Sequence, residues 1–332
     1  MRVSVVMPVF NARRTLERAV ASILRQRGVE VELVCVDDGS TDGSLALLRR
    51  LAAADGRIKV VAQPHRGIVA ALNAGLEAAT HPLIARMDAD DVAHPDRLRL
   101  QARFLLDNPH VGVVGTQVRS FPAAAVTEAF YKYEAWSNAL VDPADIAREI
   151  YVESPIVHPS AMFRREEALR LGGYREMPWA EDYDLWLRYH QAGYALAKLP
   201  RVLLGWRMDP NRLSFRDPRC SLGAFFRCKA HFLARDVRVR RGPVVIWGAG
   251  MTGRRLGKAL LREGVAIEAF VDIAERYVGR TRLGRPVYAT GYVSRTDRFV
   301  IVAVGAPGAR AEIRAQMRAW GRAEGESYIF AA

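Results

Sequence analysis

Along the first ninety residues the apolar positions switch repeatedly between two periods. Val3 to Met7 is a short β-branched run, and "ARRTLERAVASILRQ" (Ala12–Gln26) then places apolar residues at helical intervals. "VELVCVD" (Val31–Asp37) reads as a second strand. "STDGSLALLRRLAAA" follows as a second helix, with Ser40, Thr41 and Asp42 as capping residues. "RIKVVAQ" and "HPLIARMD" are further strands on either side of the helical "GIVAALNAGLEAA". Strands alternating with helices of this length predict a parallel sheet covered on both faces. Ligands of such sheets sit beyond the carboxyl ends of the strands. Acids collect there: Asp37 and Asp38 end the second strand, and Asp88, Asp90 and Asp91 follow the fourth. Turns gather Asp for local hydrogen bonding, but two clusters at equivalent strand ends favour a functional reading. Carboxylates this close repel unless a cation lies among them.

Further along, "ESPIVHPSAMFRREEALRLGGYRE" puts His158 before a short strand and Gly172-Gly173 after a short helix. "WAEDYDLWLRYHQAG" is a helix whose first turn carries Glu181, Asp182 and Asp184, where acids suit the helix dipole in any case. "PRVLLGWRMDPNRLSF" ends a strand at Trp206-Arg207, with Asp209 and Ser214 beyond. The aromatic-rich "EAFYKYEAWSNAL", within residues 121–152, matches no motif and reads either as core or as a sugar platform.

Composition narrows the class. At 332 residues, 50% apolar and 26% charged, the chain has the profile of two globular domains. The N-terminus lacks the pattern of a signal peptide, and no apolar stretch reaches the roughly 18 residues of a membrane span. Cys35, Cys220 and Cys228 show no metal spacing and read as reduced thiols of a cytoplasmic protein. The net charge of +13 is concentrated between Arg212 and Arg241, where nine Lys or Arg face two Asp. Within that span Leu222, Phe225, Phe226, Phe232 and Leu233 alternate with bases. This predicts either a helix packed on a neighbouring domain or peripheral contact with the inner face of a membrane. No RNA-binding signature accompanies the charge, and nucleic acid is not expected as a partner.

Eight stretches, in order, carry a resemblance: "SVVMPVFNARRTLERAVASILRQ", "VDDGSTDGS", "RGIVAALNAGL", "ARMDADDVAHPDRL", "HPSAMFRR", "LGGY", "AEDYDLWLR" and "GWRMDPNRLS". Together they resemble the family 2 glycosyltransferases of the GT-A fold, over residues 1–215. The resemblance implies an α/β nucleotide-diphospho-sugar transferase fold and an inverting, metal-dependent enzyme of hexosyl or N-acetylhexosaminyl transfer. The donor would be a nucleotide sugar, UDP-linked by preference. The acceptor would be a hydroxyl on a glycan, lipid-linked or small molecule, in polysaccharide assembly. It places Pro8, Val9, Phe10 and Asn11 along the base and ribose, and Asp38 on the uracil N3–H. Arg66, Gly67 and Asn73 would line the nucleotide pocket. Asp88 would face the ribose or the metal, and Asp90 would ligate Mg²⁺ or Mn²⁺, hard ions suited to oxygen ligands. Arg207 and Ser214 would approach the diphosphate. Asp182 would be the general base, oriented by Glu181. One departure stands out: where relatives carry His near the diphosphate this chain has Asp209, and His158 is a candidate replacement donor.

From Gly242 the strand-turn-helix pattern restarts. "PVVIWGAGMTGRRLGKAL" sets Gly248, Gly250 and Gly253 in GxGxxG spacing, and "IEAFVD" ends at Asp272. This resembles a small Rossmann-like domain of the kind that binds sugar nucleotides ahead of some sugar acetyltransferases. The expected layout is 1–215 catalytic, 216–241 a basic helical linker and 242–332 Rossmann-like. Gly248, Gly250, Gly253 and Asp272 form either a second nucleotide site or a turn used only for packing. Rival functions are an NAD-dependent oxidoreductase or epimerase in that domain, a non-catalytic sugar-nucleotide scaffold, and a nucleotidyltransferase. The C-terminal part shows no Tyr-x-x-x-Lys pair, and "PVFNARRT" replaces the loop a nucleotidyltransferase needs.

Overall fold

Strands and helices alternate from residue 2 onward, as the apolar pattern predicts. The computed structural model describes residues 1–209 and 212–332, so Pro210 and Asn211 of "GWRMDPNRLS" lie outside the described residues. The chain divides into two units. One contains Met1–Ala147, Pro155–Met177 and Glu181–Arg216, and the other Arg148–Ser154, Pro178–Ala180 and Asp217–Ala332.

The first unit opens with β1 (Arg2–Val9), α1 (Leu16–Leu24), β2 (Glu30–Asp38), α2 (Ser44–Ala54), β3 (Ile58–Gln63), α3 (Ile68–Ala78) and β4 (Leu83–Arg86). It continues through β5 (Val92–Ala93), α4 (Arg97–Asp107), β6 (Val111–Phe121), α5 (Glu128–Ala139) and α6 (Pro143–Glu149). Then come β7 (Met162–Arg164), α7 (Arg165–Arg170), α8 (Glu181–Gln191), β8 (Ala195–Arg207) and α9 (Leu213–Arg216). The strands form one eight-stranded sheet in the order β3-β2-β1-β4-β7-β6-β8-β5. Its first four strands are parallel, as expected, while β7 runs antiparallel to β4 and β6. The central strands are apolar on both faces, the pattern of a sheet covered twice. Val3, Val5, Met7, Leu33, Cys35 and Ala85 are buried on one face, and Val6, Val34, Val36 and Ile84 on the other.

The start of α2 differs from expectation. The helix begins at Ser44 with Gly43 before it, and of Ser40, Thr41 and Asp42 only Asp42 reaches its first turn, Oδ1 accepting from Ser44 N–H (3.0 Å). Ser40 and Asp42 also tie two loops together: Asn11 N–H donates to Ser40 Oγ (3.0 Å) and Arg13 N–H to Asp42 Oδ2 (2.9 Å).

The second unit contains α10 (Leu222–Leu233), α11 (Val237–Arg240), β9 (Val244–Trp247), α12 (Met251–Arg262), β10 (Ile267–Asp272) and β11 (Thr281–Arg282). It ends with β12 (Arg285–Ala289), β13 (Val300–Val302), α13 (Ala309–Ala319) and β14 (Tyr328–Phe330). The sheet order is β11-β12-β10-β9-β13-β14, parallel except at β11, so the chain winds outward from β9 in both directions. The basic stretch after Asp217 belongs to this unit. In α10 Phe226, Phe232 and Leu233 are buried, while Leu222 stays exposed. Lys229 is buried too, with Nζ donating to the carbonyls of Val152 (2.6 Å) and Ala331 (3.3 Å). Among the described residues no helix is long and apolar enough to cross a membrane.

Candidate active site

Parallel pairing sets the ends of β2, β1 and β4 side by side, with Val9 opposite Asp37 and Val6 opposite Arg86. At the β2 end, Asp38 is buried and its carboxylate gathers the loop after β3. Oδ1 accepts from Gln63 Nε2 (2.6 Å) and Arg66 N–H (3.0 Å), and Oδ2 accepts from Gly67 N–H (2.9 Å). His65 Nδ1 lies 2.8 Å from Asp38 Oδ2 and 3.0 Å from Asp38 O. Both neighbours are acceptors, so Nδ1 carries the hydrogen. The His65 ring stacks on Phe10 with centroids 4.1 Å apart. Gly39 makes this turn possible: its φ is +76°, and a Cβ there would lie 2.6 Å from His65 N. Of the expected base-and-ribose wall, Pro8 and Val9 are buried and Phe10 and Asn11 exposed. Asn11 Oδ1 accepts from Thr41 N–H at 2.8 Å.

Beyond β4, Asp88, Asp90 and Asp91 each offer a carboxylate oxygen, and these oxygens lie within 4.8 Å of one another. The turn that carries them is pinned from several sides. Thr15 Oγ1 donates to Ala89 O (3.0 Å), and the buried Arg97 donates through Nη2 to Arg86 O (2.8 Å). Asp91 Oδ1 accepts from Arg207 N–H (2.7 Å), while its buried Oδ2 has no hydrogen-bond partner among the described residues. Burial, followed by the Asp88 charge, pushes Asp90 up to about 6. Asp91 is pushed well above the usual carboxylate range by burial, with Asp88 and Asp90 adding to it. Three crowded carboxylates and an orphaned buried oxygen are a donor set suited to a hard divalent cation.

Arg86 stands between two acid groups. It is buried at the end of β4, and Nη1 pairs with Asp88 Oδ1. Burial works against its charge, but the Asp88 carboxylate prevails and holds the guanidinium above its ordinary value. The same charge acts to lower both Asp90 and Asp182. Asp182 lies half-buried in the first turn of α8 and is pushed up to about 7 by burial and then by Glu181. Its Oδ1 accepts from Tyr183 N–H (2.7 Å). His158 lies with Nδ1 3.8 Å from Glu181 Oε1 and Nε2 2.9 Å from the Tyr174 hydroxyl. Burial, reinforced by Arg86, holds His158 well below its ordinary value, so it is neutral.

Comparison with known proteins gives the family. The glycosyl transferase family 2 model matches residues 4–172. The chain belongs to that family. A putative glycosyltransferase, EpsE, of Bacillus subtilis is 34% identical over 221 residues, covering 65% of this chain and 76% of that one. An amylovoran biosynthesis glycosyltransferase, AmsE, of Erwinia amylovora is 31% identical over 216 residues, covering 64% and 79%. Among solved structures, S. aureus TarS 1–349 with UDP-GlcNAc superposes with a TM-score of 0.57 at 19% identity, over 79% of this chain and 72% of that one. This glycosyltransferase thus has the GT-A fold expected of it, followed by a second α/β sheet unit. The Asp88-Ala89-Asp90 triplet is its DXD motif.

The remaining expected residues of the glycosyltransferase divide by what their atoms already do. Asn73 spends its whole amide on the backbone of Tyr174, donating to O (2.8 Å) and accepting from N–H (2.9 Å). Arg66 and Ser214 are exposed, and Gly67 precedes α3 with φ +88°. Arg207 meets the acid cluster through its backbone, and its charge also acts on Asp90. In the second unit both Asp272 oxygens are engaged, Oδ2 with Ala249 N–H (2.7 Å) and Oδ1 with Ala274 N–H (2.9 Å). Four residues at the centre were not singled out as site residues from the sequence: Arg86, Asp91, Tyr174 and Arg212. Asp91 was visible in the acid cluster. Arg86 and Tyr174 sit inside quoted motifs, but only burial distinguishes them.

Proposed function

We propose that this glycosyltransferase is inverting and metal-dependent, moving a sugar from a UDP-linked donor to a hydroxyl acceptor during polysaccharide assembly. One observation carries the reading: an acid cluster with an unpartnered buried oxygen shares the Arg86 charge with Asp182. Asp88, Asp90 and Asp91 would hold Mg²⁺ or Mn²⁺, which when bound supplies positive charge against the nucleoside diphosphate leaving group. Arg207 adds a second cation from the β8 end. Asp182, pushed up to about 7, accepts the acceptor's proton near neutrality as the oxygen attacks. The new oxygen–carbon bond forms as the bond from the anomeric carbon to diphosphate breaks. One displacement with one base inverts the configuration. TarS is described with UDP-GlcNAc and a Pyrobaculum calidifontis mannosyltransferase with GDP-Man and Mn²⁺, which supports a nucleotide-sugar donor and a divalent ion. Asp38 orders the loop on which a base would rest, and Phe10 with His65 offers an aromatic surface beside it.

Calorimetry with UDP in Mn²⁺ and in EDTA tests the metal role. The expected result is at least tenfold tighter binding with metal, lost in Asp90→Ala. Equal affinity in both buffers would remove the acid cluster from the donor site. A hydrolysis screen of UDP-, GDP- and dTDP-sugars then identifies the donor.

A further inference from the structure

Lys and Arg are unevenly divided along the chain. Residues 217–332 hold 21 of them against 10 Asp or Glu, whereas residues 1–216 hold 28 against 26. Nearly all of the net charge of +13 therefore belongs to the second unit. Packing absorbs part of it. Lys229 is buried on backbone carbonyls, and Arg235, Arg238, Arg298 and Arg314 pair with Glu263, Asp236, Glu268 and Glu324.

Helix α12 carries cations that packing does not use. Its buried face is Gly253, Leu256, Gly257, Ala259 and Leu260, and its opposite face exposes Arg254, Arg255, Lys258 and Arg262. At 3.6 residues per turn these four form one stripe, with Met251 (67% exposed) at its start and Leu261 (36%) at its flank. No acid occurs from Met251 to Arg262, and the next residue, Glu263, is already paired with Arg235. The β11–β12 turn adds to the stripe from one side. Its Leu283 packs on α12 at Gly257, where a Cβ would lie 3.2 Å from Leu283 Cδ1, and Arg280 and Arg285 nearby are exposed. Arg276 and Arg282 lie over the Tyr277 ring, at 5.0 and 5.2 Å. From Arg276 to Thr296 there is no Asp or Glu. None of the six exposed cations makes an ion pair or a side-chain hydrogen bond among the described residues.

We propose that this face docks the second unit on an anionic phospholipid bilayer. Phosphate headgroups supply the negative charge that the chain itself does not, and Met251 and Leu261 enter the apolar boundary beneath them. A nucleic acid would also take the charge, but it gives exposed Met and Leu side chains nothing, and α12 offers no aromatic ring for a base to stack on. Phe226, Phe232 and Leu233 of α10 are buried, so the contact falls to α12 rather than to the basic stretch after Asp217. This surface lies outside residues 4–172, which match the family, and its docking needs no step of the transfer reaction.

The test is sedimentation of the full chain with two kinds of vesicle, in about 0.1 M and about 0.5 M NaCl. One is phosphatidylcholine alone, and the other seven parts phosphatidylcholine to three parts phosphatidylglycerol. Wild type should bind the anionic vesicles at least tenfold more tightly than the neutral ones, and lose most of that preference in the higher salt. Arg255→Glu with Lys258→Glu should weaken binding to anionic vesicles at least tenfold, and Arg285→Glu, on the turn, at least threefold. Met251→Ser with Leu261→Ser should weaken it about threefold at unchanged charge. An unchanged melting temperature shows that each variant is folded. Equal binding to both vesicles, or binding to neither, overturns the proposal, and so does full binding by the charge-reversed variants. A random DNA duplex bound as tightly as the anionic vesicles, with no loss in Met251→Ser and Leu261→Ser, would assign the face to nucleic acid and equally overturn it.

Discussion

A carboxylate that removes a proton near neutrality must itself titrate there, and enclosure is what moves Asp182 into that range. Its proton affinity comes from burial and from Glu181, opposed by the Tyr183 N–H and then by Arg86. The rate should therefore rise about tenfold per pH unit up to about pH 7 and level off above it, since only the ionised form acts. Asp182→Asn should lower turnover by about 10² to 10⁴-fold, the scale of losing a general base, and abolish that limb. A stopped assay across pH 5–9, with UDP affinity measured in parallel, checks both. Loss of UDP affinity with the rate preserved would assign the base elsewhere. The acids themselves were legible as clusters at strand ends. Arg86 was not, because "LIAR" reads as a strand with one polar residue, and only the fold shows that residue buried between two acid groups. Asp38 was legible as a position but not in its use, since its donors lie 25 to 29 residues away.

Elements were readable where periodicity is local. The alternating first four strands and the helix at Glu181 follow directly from apolar spacing. β6 and the first half of β8 did not, because they are stabilised by pairing with each other across more than eighty residues, from Val111 opposite Ala195 to Phe121 opposite Arg207. The placement of α8 depends on a buried network equally hidden from periodicity. Asp184 is fully buried and accepts from Arg175 (2.7 and 3.0 Å) and Arg188 (2.8 Å). Arg188 also donates to the carbonyls of Leu171 and Gly173. The Gly-Gly turn is held from its other side by Asn73. A Cβ on Gly173, at φ +61°, would lie 2.8 Å from Asn73 Oδ1. Asp184→Asn leaves two guanidinium groups without their counter-charge and should cost about 3 kcal/mol or more. Urea unfolding should show the midpoint fall. A cost below about 1 kcal/mol would mean that solvent already relieves the arginines. The same substitution should leave UDP affinity nearly unchanged, because both Asp184 oxygens are engaged by Arg175 and Arg188.

At the scale of the molecule, the restart of the strand-turn-helix pattern after Gly242 was legible, and so was the GxGxxG spacing. What that spacing serves was not, because two demands on glycine give the same sequence. The structure separates them position by position. A Cβ on Gly253 would lie 1.8 Å from Gly248 O, and one on Gly248 would lie 2.7 Å from Ala303 O, so close packing of α12 on β9 and β13 requires both. Gly250 meets nothing within 4 Å, so only this glycine is free of packing demands, and it alone leaves the helix start open to a ligand. Gly253→Ala should therefore cost at least 1 to 3 kcal/mol, the usual scale of overpacking, whereas Gly250→Ala should stay within about 0.5 kcal/mol. Hydrogen exchange read by mass spectrometry on the full chain locates the effect. Amides of β9, β10 and β13 should lose protection in Gly253→Ala and keep it in Gly250→Ala, with β1, β2 and β4 unaffected in both. Equal protection in the two variants would show that the turn relaxes around a side chain at Gly253. The motif would then need another cause than packing. With the expected result, a nucleotide site in this unit would rest on Gly250 and the exposed helix start, since Asp272 already spends an oxygen each on Ala249 and Ala274.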